Sequence, residues 1–385
     1  MKDISIYFKP RIFQNQILEE KISSKIFSHT ENAFPDLEKN SIAIFHCPEY
    51  RNAKIENNSD IEEENYFSHF LDLNFGDTWN FNIYDLGIIQ PGDKIKDTYF
   101  ALTQVITELV KNNILPIVVG GSQDLTFALY QAYQHLEQMV NLTCIDFEFN
   151  LGKPDENISS NGFISQILMH RPCYLFNVSV IGVQAPYVKK SEIDLFEKLY
   201  FDVVRLGEFN ADYKIAEPHL RNSDILSLDL NSIRNADFNS EFNHPNGFYA
   251  DQICQLAKYA GISDKMAVFG LFSSLKNDLN DKNGELTAEI LWYFIDGFAQ
   301  RKGDFPIGSK KDYTKFIVHL DEQDEELVFY KSPKSNRWWM EVPYPQTKEM
   351  KYERHHLVPC SFDDYQAAMQ NEMPNLWWKT FQKLI

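Results

Sequence analysis

Oxygen-bearing side chains recur at every second position where a predicted strand ends. Asp146, Glu148 and Asn150 follow an apolar run that begins at residue 140. Because successive side chains of a strand point to opposite faces, we expect these three side chains to share one face. Open α/β sheets bind their ligands at the carboxyl ends of their strands. The spacing therefore predicts that this strand end contributes to a functional site.

Two other predicted strand ends carry side chains of the same kind. Gln123 follows a Gly-Gly turn in VVGGSQD, residues 118–124, and Asp229 and Asn231 lie two positions apart in SLDLNSIR, residues 227–234. Carboxylate and amide oxygens are ligands that suit Mg²⁺, Ca²⁺ and similar hard cations. The three segments together predict a cluster of oxygen ligands at one edge of a sheet.

Several neighbouring features are better explained by structure than by chemistry. We interpret the Gly-Gly pair as a turn between a strand and a helix, because the lysine of a phosphate-binding loop is absent. Asp124 is interpreted as the N-cap of that helix, and Cys144 as a core thiol that no histidine is placed to activate. His355 and His356 are interpreted as a surface pair rather than as metal ligands.

Strand and helix patterns alternate along most of the chain. Apolar runs predict strands, and apolar residues that recur at three and four positions predict helices. Near-continuous apolar strands between helices predict an α/β fold with three layers, α-β-α, around a mostly parallel central sheet. The predicted strands are residues 41–47, 82–86, 114–119, 140–147, 178–183, 225–230, 266–272, 315–320, 326–332 and 337–342, and the predicted helices are residues 14–27, 98–111, 125–139, 191–198, 249–259 and 285–300.

The pattern changes near residue 303, which divides the chain into two predicted parts. Residues 1–302 form the α/β domain, with residues 1–40 as its lead-in, and residues 303–385 form a C-terminal β/α extension. The last three predicted strands are short and suggest an antiparallel ribbon, and a capping box at residues 361–364 predicts a following helix. Four of the six Trp residues lie in this Trp-rich extension. We expect them to pack against the main domain; a surface for a protein partner is the alternative.

Composition excludes several classes of function. The 385 residues include 55 acidic and 37 basic ones, for a net charge of −18. This balance argues against a basic face for nucleic acid or for anionic membranes. The first residues lack the pattern of a signal peptide, and no apolar run reaches the length of a membrane span. The five Cys residues are scattered, so we expect free thiols and a cytoplasmic protein.

The polar segments resemble, in order and spacing, those of the ureohydrolases, the arginase/agmatinase/formimidoylglutamase family. The three segments that carry the resemblance are VVGGSQD, IDFEFN and SLDLNSIR. Supporting matches are YDLGII at 84–89, VIGVQ at 180–184, HPNGFYADQI at 244–253 and TAEILWYFIDGF at 287–298, so that the resemblance covers residues 40–300. The resemblance implies an arginase-like fold. It also implies hydrolysis of a guanidinium or formimino carbon by a hydroxide held between two manganese ions.

The metal ligands that the resemblance implies are altered in this sequence. The family places a His after the Gly-Gly turn, an Asp-x-His-x-Asp strand and an Asp-x-Asp strand. The His position after the turn is Gln123, the first strand carries Asp146, Glu148 and Asn150, and the second strand carries Asp229 and Asn231. The position of a downstream histidine that shuttles protons in arginases corresponds to Asn161, a candidate substrate-pocket residue, and Gly270–Ser273 lacks the late family carboxylate.

These replacements lead to a prediction about metal content. Gln123 and Asn150 put neutral amides at two ligands of one metal, and amide oxygens are weak replacements in a Mn²⁺ site. Asp146, Glu148, Asp229 and Asn231 retain enough oxygen for one cation. We therefore expect either no metal or a single Mn²⁺, Mg²⁺ or Ca²⁺, and no catalytic residue of the two-manganese reaction.

Two functions follow from this site, and a third from the extension. The first is a non-catalytic binding or scaffolding module, a pseudoenzyme with a degenerate metal site. The alternative is a hydrolase of linear amidines, such as formimidoylglutamate, agmatine or arginine, with a remodelled single-metal site. The third is a structural partner that binds another protein through the Trp-rich extension. The expected ligand is a small amidine or an amino-acid-like molecule, and the family resemblance suggests a homo-oligomer.

Overall fold

The computed structural model describes residues 2–11, 19–53, 65–153, 157–240, 242–273, 281–306, 310–320, 325–344 and 354–384. The strands are β1 (Phe8–Lys9), β2 (Ile26–Ser28), β3 (Ser41–His46), β4 (Ile83–Ile89), β5 (Ile114–Val119), β6 (Val140–Ile145), β7 (Leu175–Val183), β8 (Asp202–Arg205), β9 (Ile225–Asp229), β10 (Val268–Phe272), β11 (Thr314–Leu320), β12 (Glu325–Lys331), β13 (Trp338–Glu341) and β14 (Leu357–Cys360). The α-helices are α1 (Tyr66–Asp72), α2 (Ile95–Lys111), α3 (Thr126–Leu136), α4 (Phe163–Met169), α5 (Lys190–Lys198), α6 (Leu206–Ala211), α7 (Ala216–Arg221), α8 (Ala250–Ile262), α9 (Lys282–Ala299), α10 (Phe362–Met369) and α11 (Asn375–Leu384).

The central sheet is mostly parallel. Its order is β1-β4-β3-β5-β10-β9-β6-β7-β8, with β2 paired to β4 at one side. Only β1 runs antiparallel to its neighbour among the described strands of this sheet. All residues of β3, β5, β6 and β7 are buried, because helices cover both faces of the sheet. The predicted three-layer α/β architecture is therefore confirmed.

Two apolar cores lie on opposite faces of this sheet. One core includes the buried faces of α2, α3 and α4, and the other includes those of α1, α8 and α9. Alternation of the strand side chains divides β5 in this way, since Val118 belongs to the first core and Ile117 and Val119 to the second. The two cores hold the strand ends that carry the polar segments rigidly in place.

The C-terminal extension forms a second, antiparallel sheet. Its order is β11-β12-β13-β14, which confirms the predicted ribbon and adds β14, a strand that the sequence pattern did not predict. The buried Arg221 of α7 joins this sheet to the main domain, since it donates hydrogen bonds to the carbonyls of Trp338 at 3.0 Å and Cys360 at 2.8 Å. Ser361 caps α10 in the predicted capping box with Asp364.

The tryptophans of the extension are mostly internal. Trp338, Trp339 and Trp377 are buried, whereas Trp378 is 47% exposed. Trp338 stacks on Tyr365 of α10 at 5.0 Å between ring centroids. Three of the four Trp side chains of the extension are thus buried inside the protein.

Two local predictions are wrong. The predicted helix at residues 14–27 falls partly outside the described residues, and its described part holds a 3₁₀ turn at Ile22–Ser24 followed by β2. His355 is not on the surface: it is buried and stacks on Phe176 at 4.2 Å between ring centroids. Burial lowers the pKa of His355 well below its ordinary value. His355 was assigned to the surface because it is a polar residue type. Its aromatic partner Phe176 lies in β7, far away in the sequence.

Among the described residues, no helix is both long enough and apolar enough to cross a membrane.

Candidate functional site

Adjacent parallel strands bring the predicted site residues to one edge of the sheet. β6 and β9 pair in parallel with Ile145 opposite Leu228, so Asp146 and Asp229 follow side by side. On the other side of β9, Phe272 of β10 lies opposite Asp229. Because these are all carboxyl ends, the structure gathers the polar segments where open α/β sheets bind ligands.

The Gly-Gly turn, which packs closely against neighbouring residues, leads the chain from β5 to Gln123 at this edge. Gly120 has a φ of 86°, and a Cβ there would lie 2.2 Å from the His46 ring. Gly121 has a φ of 77°, so both positions require the conformational freedom of glycine. The chain then enters a 3₁₀ turn that begins at Gln123. The interpretation of this pair as a strand-to-helix turn fits the structure.

The backbone between residues 146 and 150 is bent. β6 ends at Ile145, so the alternation expected for Asp146, Glu148 and Asn150 does not apply. Asp146 instead folds its carboxylate onto the following backbone: Oδ1 accepts hydrogen bonds from the amide of Phe147 at 2.6 Å and from that of Glu148 at 3.3 Å. Asn150 has a φ of 50°, in the left-handed region that asparagine tolerates. This bend is what turns Asn150 back toward Asp146.

The side-chain amide of Asn150 joins the first and second polar segments. Its Nδ2 donates to Asp146 Oδ2 at 2.5 Å and to Gln123 Oε1 at 3.0 Å. Gln123 is held in turn by its Nε2, which donates to Ser227 Oγ at 3.3 Å. The opposite orientation of the Asn150 amide would place three oxygens against one another, so this network fixes Nδ2 between the two acceptors.

Asp229 and Asn231 form a second small turn at the neighbouring strand. Asp229 Oδ1 accepts a hydrogen bond from the backbone amide of Asn231 at 3.0 Å. The Oδ1 atoms of Asn231 and Asn150 are buried and have no hydrogen-bond partner within the described part of the chain. These two acceptors suit a small donor such as water, or a cation.

The remaining candidate positions lie at the margin of this group. The side chain of Glu148 is half-buried, and Asn161 is exposed in the turn before α4. That turn is tied to the site by the amide of Ile164, which donates to the carbonyl of Asn150 at 3.3 Å. The structure therefore joins Gln123, Asp146 and Asn150 directly, and places Asn161 at the surface beside them.

The donors present do not fit a two-manganese centre. The two manganese ions that the resemblance implies would need an electron pair from each ligand. Asn150 instead points the hydrogens of Nδ2 at Asp146 Oδ2 and Gln123 Oε1. Across the described residues, no group of three or more His, Cys, Asp or Glu side chains is arranged to hold a metal ion. Binding of a single cation stays a prediction, to which the unpartnered Asn231 Oδ1 is relevant.

Asp124 belongs to a buried network that sequence reasoning missed. Its carboxylate accepts hydrogen bonds from the hydroxyls of Ser122 and Tyr99, and from Asn52 Nδ2 at 3.5 Å. Burial raises the pKa of Asp124 to about 6, although these hydrogen bonds act in the opposite direction. The N-cap prediction is wrong because α3 begins only after the 3₁₀ turn, with Leu125 at its N-cap position. The one available signal was Tyr99, a polar-tipped residue on the apolar face of a predicted helix.

Cys144 is the core thiol that the sequence predicted. It is buried, and burial together with the charges of Asp146 and Asp229 raises the pKa of its thiol well above the ordinary value. A thiol that stays protonated is a poor nucleophile.

Several solved structures of ureohydrolases are similar to this chain in fold. Formimidoylglutamase from Bacillus subtilis matches with a TM-score of 0.62 at 13% identity, over 76% of this chain and 95% of its own. Trypanosoma cruzi formiminoglutamase with Mn²⁺ matches with a TM-score of 0.60 at 16% identity, over 68% and 94%. Agmatine ureohydrolase of Thermoplasma volcanium matches with a TM-score of 0.56 at 16% identity, over 75% and 96%. No family model matches the chain, and no curated protein matches it with significance.

These likenesses show the fold. The chain has the three-layer architecture of formimidoylglutamase and agmatine ureohydrolase, as the polar segments predicted. The match covers nearly the whole of each of these structures, and part of this chain lies outside the shared region.

Proposed function

We propose that this chain, which has the ureohydrolase fold, is a diverged member of the ureohydrolase family that acts as a non-catalytic binding or scaffolding module. The ligand that we propose for it is a small amidine or an amino-acid-like molecule. Two manganese ions and a bridging hydroxide would need ligands that Gln123, Glu148, Asn150 and Asn231 replace.

One observation carries this proposal: the amide of Asn150 connects Asp146 to Gln123. Its Nδ2 lies 2.5 Å from Asp146 Oδ2 and 3.0 Å from Gln123 Oε1. A metal ligand at either position would have to offer an oxygen lone pair to the space that these hydrogens fill. These hydrogen bonds satisfy Asp146 Oδ2 and Gln123 Oε1 without a cation.

A second function is kept because two buried oxygens favour it. Asn150 Oδ1 and Asn231 Oδ1 have no partner among the described residues, and such atoms are normally satisfied. A single cation near Asn231 and Asp229 would satisfy one of them and could polarise an amidine. This alternative is a single-metal hydrolase of formimidoylglutamate, agmatine or arginine.

Elemental analysis with an activity assay tests the two functions. The purified chain is incubated with Mn²⁺, dialysed and analysed for metal, and is then assayed for hydrolysis of the three amidines. We expect less than one metal per chain and no turnover. Stoichiometric metal with turnover that disappears in both Asp146→Asn and Asp229→Asn would overturn the proposal in favour of the single-metal hydrolase.

Restoring the family ligands tests the assignment of positions. The variant combines Gln123→His, Glu148→His, Asn150→Asp and Asn231→Asp, and we expect it to bind manganese. The matched control adds Asp146→Asn to the same four changes, which removes a carboxylate shared by both metals. If the fourfold variant folds but binds no more manganese than its control, the assignment of the ligand positions is wrong.

A further inference from the structure

A cleft of about 710 Å³ is lined by residues of α2 and α3 and by loop residues that include Asn52, Asn157 and Ile158. Ile95, Lys96, Tyr99, Phe100 and Thr103 line it from α2, which is the spacing of one helix face. Phe127, Gln131, Gln134 and His135 of α3 provide the opposite wall. This volume lies within the range of small-molecule sites in proteins.

Aromatic side chains give the cleft an apolar middle. Phe100 is 60% exposed, an unusual state for so large an apolar side chain, and Phe127 of α3 is half-buried. The two helices are in contact at this level, since Thr103 Oγ1 donates to the carbonyl of Ala128 at 3.1 Å. A flat ring placed here would cover the exposed face of Phe100.

Among the described lining residues, the formal charge beside this apolar middle is the positive charge of Lys96. Lys96, one helical turn from Phe100, and His135 of α3 both line the cleft, and neither makes an ion pair in the part of the chain that the structure describes. No Asp or Glu is among the described lining residues, although the whole chain has a net charge of −18. A local absence of carboxylates in so acidic a protein favours an anionic ligand.

Asn52 and Tyr99 both line the cleft and are bonded to each other. Asn52 Nδ2 donates to the hydroxyl oxygen of Tyr99 at 2.8 Å, and that hydroxyl donates onward to Asp124. These bonds use the donors of both side chains inside the protein.

We propose that this cleft binds a small aromatic organic anion. The ring packs between Phe100 and Phe127, and the anionic group pairs with Lys96. The site uses none of the oxygen ligands around Asp146, so it does not depend on the proposed function. A failure here would leave the metal experiments unchanged.

Calorimetric titration with two matched probes tests this site in the full-length protein. The probes are 2-naphthoate and the neutral 2-naphthamide, which share a ring and differ in charge. For a ligand of about 13 non-hydrogen atoms, we expect a dissociation constant for naphthoate on the order of 0.1–1 mM. We expect naphthamide to bind about threefold to fivefold more weakly, which is the size of one exposed ion pair.

Two substitutions locate the binding. Lys96→Met should weaken naphthoate binding about threefold and leave naphthamide binding unchanged. Phe100→Ala should weaken both probes about fivefold, because it removes the ring contact. Lys111→Met, at the other end of α2, makes the same change of charge and should affect neither probe. Both altered side chains are exposed, so folding of each variant is expected and is checked by circular dichroism.

Three results would overturn the proposal. The first is no saturable binding of naphthoate up to about 10 mM. The second is equal affinity for the two probes. The third is binding that Lys96→Met and Phe100→Ala leave unchanged, which would place the ligand elsewhere on the protein.

Discussion

The substitution Asn150→Asp tests the physical basis of the polar network. In the native protein, Asn150 Nδ2 lies 2.5 Å from Asp146 Oδ2 and 3.0 Å from Gln123 Oε1. Aspartate has the same shape and tolerates the same left-handed backbone, but it replaces two donated hydrogens with a second carboxylate oxygen. Two carboxylates then face each other in a site where Asp146 is 0% and residue 150 is 5% exposed.

The expected cost follows from the distance and the burial. Two charges about 3 Å apart repel by about 5–6 kcal/mol at an effective dielectric constant of 20. The native state lowers this cost by taking up one proton, which at pH 7 costs about 4 kcal/mol for a carboxyl that ionises near pH 4. Together with about 1 kcal/mol for the lost hydrogen bond, we therefore expect Asn150→Asp to lose about 5 kcal/mol of unfolding free energy at pH 7.

The pH dependence has a definite sign. The variant pair holds one proton more in the native state than in the unfolded state, so its relative stability is greatest below about pH 4 and falls as the pH rises. The slope should be about 1.4 kcal/mol per pH unit between pH 4 and 7. A residual loss of about 1 kcal/mol remains at low pH, because a protonated carboxyl donates only one hydrogen bond.

Urea unfolding between pH 4.5 and 7.5, with a metal chelator present, measures these free energies. Asn150→Gly is the matched control, since it removes the amide without adding charge and glycine tolerates the positive φ. It should cost about 1–3 kcal/mol at every pH. If Asn150→Asp and Asn150→Gly differ by less than about 0.5 kcal/mol at pH 7, or if their difference is the same at every pH, the Asn150 amide does not hold two acceptors together.

Three further predictions concern the extension and the sheet edge. Burial acts to raise the pKa of Asp202, but Lys383, His219 and Lys379 outweigh it and lower this pKa to about 2. The ionised Asp202 carboxylate therefore stabilises the native state fully above about pH 4, and this stabilisation is lost as the pH falls toward 2. In urea unfolding, we expect the native protein to lose about 2 kcal/mol more than Asp202→Asn over this pH range. Arg221→Met should cost about 3 kcal/mol, because it leaves two carbonyls of the C-terminal sheet without their buried donor; unchanged unfolding followed by tryptophan fluorescence would contradict this. Ser361→Ala removes the cap of α10 and should cost about 1 kcal/mol in urea unfolding; an unchanged free energy of unfolding would contradict this.

The fold could be predicted from sequence because its signals are local. Apolar runs such as residues 114–119 and 178–183 are buried on both faces in the structure, as their composition required. Boundaries moved by a few residues, and β14 was missed because LVPC is short and contains a proline. His355 was assigned to the surface because its buried partner, Phe176, is remote in sequence.

The site could be predicted only in part. The sequence placed Asp146 and Asp229 at strand ends, and the parallel pairing of β6 with β9 puts them side by side. The face assignment of Asn150 was wrong because β6 ends at Ile145 and the chain bends. The role of Asp124 was also missed, since its partner Tyr99 lies on a helix that only tertiary packing brings near.

The sequence by itself determined the layers of this protein and the residue types available at the carboxyl edge of its sheet. The periodic pattern of apolar residues, and the presence of Gln123 and Glu148 where the family has histidines, are properties of the sequence alone. Tertiary structure decided what those residue types do together. A left-handed residue after the end of β6 turns the Asn150 amide between Asp146 and Gln123, and that geometry depends on packing between strands distant in sequence. A hydrogen bond forms only when its two atoms lie about 3 Å apart, so this network depends on the packing of distant strands. The pattern of apolar residues that predicts the layers does not depend on that packing.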